Sequence, residues 1–139
     1  MTMQFILGVT CWLATLTVVL GVHDPYTECL NLLNAKEDQL HLIVVQDSTP
    51  PSDQSGDYFL CVWKIKNIMD EHGDVNVNNL KDFIKEELNR VADVTPETSK
   101  NVSKLFDECD LSVSKVPQET AIKIKNCHAK IMVKVLVPT

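Results

Sequence analysis

Residues 1–21 contain no Asp, Glu, Lys, Arg or His. A membrane-spanning helix needs ~20 predominantly apolar residues and is usually flanked by Lys or Arg. The apolar run Phe5 to Leu20 lacks a basic flank, is interrupted by Gly8, Thr10, Thr15 and Thr17, and stops at the turn-forming His23-Asp24-Pro25. These absences argue against stable membrane insertion and for a secretory signal peptide, with Val19-Leu20-Gly21 supplying a small residue at the cleavage point. The expected organisation is a signal peptide over 1–21 and a single mature domain over 22–139, secreted and extracellular. Positive charge is also scarce: 13 Lys and Arg face 19 Asp and Glu, a net charge of −6. Lysines and carboxylates alternate and no basic block exists, so nucleic acid and anionic membrane surfaces are poor partners. Internal repeats and low-complexity tracts are absent as well.

Catalytic machinery is missing in the same way. There is no G-x-S-x-G elbow. The histidines are His23, His41, His72 and His128, and the carboxylates run in adjacent pairs (Glu37/Asp38, Glu86/Glu87, Asp107/Glu108) of the kind that solvate helix faces. Nothing assembles an acid, a base and a nucleophile, so the chain is read as a non-enzyme without a cofactor. Asp70 to Lys81 invites comparison with a calcium loop, because Asp70, His72 and Asp74 take its first, third and fifth positions. Val75 stands where that loop needs Gly, however, and Lys81 where it needs a bidentate Glu. A capped inter-helix turn is the better reading. Asn101-Val102-Ser103 is a formal glycosylation sequon, set inside an expected helix beside a core-facing valine.

Cysteine is what remains. Cys11 would leave with the signal peptide, and Cys29, Cys61, Cys109 and Cys127 would stay. An even count in an exported chain implies disulfides. Four cysteines allow three pairings, and the residues by themselves do not choose among them. Each bridge would stabilise by about 3–4 kcal/mol on the chain-entropy model. A zinc site built from these cysteines with His128 is disfavoured, since no Cys-x-x-Cys pair exists and the ligands are scattered.

Helical periodicity dominates the rest. Thr27 to Val45 carries Leu30, Leu33, Leu40, Ile43 and Val44, with a break plausible at Asn34. Asp47 to Asp57, with its Pro-Pro pair, reads as a loop. A helix is expected over Tyr58 to Met69, with Phe59, Val62, Ile65 and Met69 on one stripe and Gly73 as its left-handed stop. Asn76 can cap a helix bearing Val77, Leu80, Phe83, Ile84, Leu88 and Val91. Thr95-Pro96-Glu97 starts another, bearing Val102, Leu105, Phe106 and Cys109. Ser114 to Pro117 opens the last, with Ala121, Ile122, Ile124, Cys127, His128, Ile131 and Met132, before an apolar tail Val133 to Val137. The fold class is therefore all-α, five to six helices with short connections.

The spacing Cys29…Cys61…Cys109…Cys127 resembles the insect odorant-binding protein family in its four-cysteine form. The stretch Cys61-Val62-Trp63-Lys64-Ile65-Lys66-Asn67-Ile68-Met69-Asp70-Glu71-His72-Gly73-Asp74-Val75-Asn76 looks like that family's third helix, glycine turn and start of its fourth. Gln118-Glu119-Thr120-Ala121 before Cys127 looks like its last helix with the fifth cysteine replaced. The slots of the missing second and fifth cysteines fall on Asp57 and Gln118. The resemblance implies a compact disulfide-stapled bundle around an apolar cavity, with bridges Cys29–Cys61 and Cys109–Cys127. It implies small hydrophobic ligands (odorants, pheromones or related lipids) and, by analogy, a membrane receptor as partner. Phe59, Trp63, Phe106 and His128 match positions that often line the family's cavity. Phe83, Ile84, Ile124 and Met132 on the apolar stripes complete the expected lining. The competing reading is a secreted helical interaction or signalling protein acting through its surface, which would have a filled core and an exposed apolar patch.

Overall fold

Capping side chains or prolines mark where four of the five described helices begin. The computed structural model describes residues 25–30, 49–50 and 55–137. The expected signal peptide, positions 31–45 of the first expected helical segment and positions 47–48 and 51–54 of the loop lie outside them. Five helices and no strand occur among the described residues: α1 (Pro25–Cys29), α2 (Gly56–Ile65), α3 (Val77–Val91), α4 (Pro96–Asp107) and α5 (Pro117–Leu136). Asn76 caps α3, its side-chain oxygen accepting from Asn79 N at 3.0 Å. Thr95 caps α4 by accepting from Thr98 N at 3.1 Å, with Pro96 in the first turn where its missing N–H costs nothing.

The end of α2 differs from expectation. The helix stops at Ile65, not Met69. Asn67 adopts a left-handed backbone with φ of 59°, its N–H reaches Lys64 O at 3.1 Å, and the Ile68 N–H reaches Trp63 O at 2.8 Å. That is a Schellman cap in which asparagine does the work usually given to glycine. Gly73, at φ of 85°, instead turns the short loop in which Met69 and Val75 form an isolated bridge. Asp70 organises that loop, one carboxylate oxygen accepting from both His72 N and Asp74 N at 2.9 Å. The turn reading of Asp70 to Lys81 thus describes the geometry. Ile65 consequently faces solvent, while Ile68 and Met69 are buried from beyond the helix. Val77 and Val91 are also exposed, because the end turns of α3 run past the core that Leu80, Phe83, Ile84 and Leu88 enter.

Helix α5 is the central element. It packs against α2, α3 and α4, and α1 packs against α2. It begins at Pro117 without a side-chain cap; Ser114, outside the helix, ties down the approach by donating to Glu119 Oε2 and, through its N–H, to Thr120 Oγ1 at 2.9 Å. The expected tail is not separate: the helix continues through Leu136, with Val133 and Leu136 partly exposed on its outer side. Two disulfides staple the assembly, Cys29–Cys61 joining α1 to α2 and Cys109–Cys127 joining the segment after α4 to α5.

Candidate functional site

Three rings from α2 and α3 and one from α5 form a buried row. Phe59 and Trp63 lie one helical turn apart on α2, as (i, i+4) neighbours should, and stack with centroids 6.3 Å apart. Trp63 meets Phe83 of α3 edge-on at 5.7 Å. The His128 imidazole of α5 closes the row, 5.0 Å from Phe83 and 6.4 Å from Trp63. Tyr58 extends the other end, edge-on to Phe59 at 5.1 Å. The Trp63 indole N–H donates to Ala121 O at 2.9 Å, so the largest ring in the core has its one polar atom satisfied.

The expected lining residues separate into those in the row and those beside it. Phe59, Trp63, Phe83 and His128 are brought together. Ile84, Phe106 and Ile124 are buried in the same core, and Met132 packs half-buried against it. Phe106 carries the Lys81 ammonium 5.0 Å from its ring centre. Three participants escaped sequence reasoning. Tyr58 was hidden by its place immediately before the stripe residue Phe59. Lys66 sets its ammonium 4.7 Å from the Phe83 ring centre and 5.5 Å from that of Tyr26. Lys125 is fully buried and donates to Thr49 Oγ1 at 2.6 Å, while Asn126 exchanges two hydrogen bonds with the Thr49 backbone. The signal for Lys125 was a cation between Ile124 and Cys127, both of them on the apolar stripe.

His128 is the chemically distinctive member. The residue as a whole is half-buried, yet its Nε2 is shielded from solvent and has no hydrogen-bond partner among the described residues. Desolvation, reinforced by the charges of Lys66 and Lys125, lowers its pKa from 6.5 to about 4, so the ring is neutral at pH 7. Phe83 stands between this ring and an open cleft of about 330 Å³ bordered by Lys66, Asn67, Asn79, Asp82 and Glu86.

The helix pair at the centre carries a further feature. Gln118 Nε2 of α5 donates to Asp57 Oδ1 of α2 at 3.0 Å. These are the two positions on which the resemblance places the slots of a middle bridge, and a hydrogen bond joins them. The profile of the PBP/GOBP family, the insect pheromone and general odorant-binding proteins, matches residues 21–130. The chain belongs to that family. No curated protein and no solved structure matches it. PBP/GOBP proteins are carriers of odorants or pheromones rather than enzymes, and this member has the bridges Cys29–Cys61 and Cys109–Cys127. No helix among the described residues is long and apolar enough to cross a membrane.

Proposed function

We propose that the mature chain, 22–139, is exported behind a cleaved signal peptide and carries a small hydrophobic ligand in extracellular fluid. Family membership supports the carrier role, and the paired cysteines suit an oxidising compartment. The observation that carries the assignment of a binding region is the buried row Phe59–Trp63–Phe83–His128 behind an open cleft. Apolar lining with one or two polar atoms is what such ligands need. Burial at roughly 25 cal/mol per Å² of apolar area supports micromolar affinity without any covalent chemistry. Ile84, Phe106, Ile124 and Met132 would form the walls around the row.

The test is displacement of an environment-sensitive apolar dye from the secreted protein by alcohols, esters and terpenoid-like molecules. Micromolar dye binding is expected, with competition and a change in Trp63 emission. A flat response across a broad panel would instead favour action through the surface, where Val91, Val113, Val116 and Val137 are exposed. Native mass spectrometry of the secreted protein identifies what co-purifies.

A further inference from the structure

A buried imidazole nitrogen without a partner is uncommon, since leaving such a group unsatisfied costs about 1–3 kcal/mol. Among the polar atoms around the aromatic row, the Trp63 N–H is committed to Ala121 O at 2.9 Å and the Lys125 ammonium to Thr49 Oγ1 at 2.6 Å. His128 Nε2 is buried against Phe83 and Trp63 with no hydrogen-bond partner among the described residues. Resting on the carrier reading, we infer that His128 is a specificity-determining residue whose Nε2 hydrogen-bonds one neutral oxygen, a hydroxyl or a carbonyl, at the end of an otherwise apolar ligand.

The geometry sets the ligand's direction. Trp63 joins Phe59 to the Phe83–His128 pair, so the hydrocarbon body would lie along Phe59 and Trp63 with the oxygen at the Phe83 end. Phe83 also borders the open cleft, which makes that end the one nearer solvent. A neutral imidazole can donate through Nε2–H or accept at Nε2 according to its tautomer, so hydroxyl and carbonyl ends are both served. The flanking Lys66 and Lys125 cations oppose formation of an imidazolium, which keeps the anchor neutral and suits a neutral partner.

The experiment uses the full mature chain and hydrocarbons of one fixed length ending in methyl, hydroxyl or aldehyde, each displacing an apolar dye at pH 7. Replacing His128→Phe is expected to weaken hydroxyl- and aldehyde-ended ligands about 10-fold while changing the methyl-ended one by less than about twofold, one neutral hydrogen bond's effect. His128→Gln, which retains a hydrogen-bonding amide, should recover most of the loss. Equal changes for all three ends would overturn the inference and assign Nε2 to a bound water, while leaving the carrier reading intact. If no member of the series displaces the dye, the carrier reading itself fails. Should the Phe variant not fold, nitrogen NMR of the parent decides. The His128 Nε2 resonance is expected to move with the hydroxyl-ended ligand and not with the methyl-ended one, and an unmoved resonance overturns the inference.

Discussion

His128 links burial to pH. In the unfolded chain its imidazole takes a proton near 6.5, as an ordinary histidine does. In the folded protein desolvation and the neighbouring lysines hold that value down to about 4. Above pH ~6.5 the group is neutral in both states and costs nothing. As pH falls from ~6.5 towards ~4 the unfolded chain gains the proton first, so stability declines across that window, by at most about 3 kcal/mol. Urea unfolding of the parent at pH 7 and 4.5 should show this decline, and His128→Phe should show less of it. Parallel losses in both proteins would assign the effect to other groups. Ligand affinity has a different window. At pH 5 only about a tenth of folded molecules carry the imidazolium, so affinity should stay flat from neutral pH to about 5 and weaken only on approach to 4. Trp63 is the other residue with a sharp expectation. Trp63→Phe deletes the hydrogen bond to Ala121 O and part of the largest buried ring, which should lower stability by about 2 kcal/mol or more in the same assay.

Between elements, α2 and α5 pack together with no disulfide joining them. Gly56 allows the close approach there: a Cβ on it would sit 2.8 Å from Gln118 Cβ and 3.2 Å from Gln118 O. Backbone on one side cannot yield as a flexible side chain would, so Gly56→Ala should push the helices apart and lower the melting temperature. Next to it, the exposed hydrogen bond from Gln118 to Asp57 is worth little, about 1 kcal/mol. The pair Asp57→Cys with Gln118→Cys should therefore form a third disulfide and raise the melting temperature, measured with and without reductant. Recovery of both introduced cysteines as free thiols would contradict that expectation. The helix starts were legible because their signals are local: Asn76 and Thr95 cap by bonding residues three positions on. The end of α2 was not, because Asn67 in a left-handed conformation has no composition signature when a glycine stands six residues later. Stripe positions identified Phe59, Phe83 and Phe106, yet the ring of Tyr58 and the cations around the row eluded pattern reasoning. Burial of Lys125 depends on Thr49, a residue 76 positions away. The position of Lys66 over Phe83 likewise follows from how α2 ends, which periodicity had placed four residues too late.

At the scale of the whole molecule, two bridges and one long helix hold the described parts together. Cys29–Cys61 spans 32 residues and Cys109–Cys127 spans 18. On the chain-entropy model these loops correspond to about 3.7 and about 3.2 kcal/mol, a difference too small to rank them. What ranks them is what each one holds. Helix α4 ends beside Cys109 and contributes Val102 and Phe106 to the core, so it retains a packed face when its bridge is removed. Helix α1 is five residues long, far below the ~12–15 at which an isolated helix is even marginal. Its buried residue is Cys29 itself. Removing Cys29–Cys61 therefore removes both the tether and the principal buried group of α1. Replacing Cys29 and Cys61 together by serine should expose the α1 amides to fast hydrogen exchange and lower stability by about 4 kcal/mol or more. Replacing Cys109 and Cys127 should cost about 3 kcal/mol and leave exchange in α4 slow near Val102 and Phe106. Peptide mapping under non-reducing conditions checks the premise, since a peptide joining Cys61 to Cys109 is incompatible with this framework. If both double variants lose the same stability and both keep α1 protected, chain entropy alone governs the bridges, and α1 is held by contacts other than its cysteine.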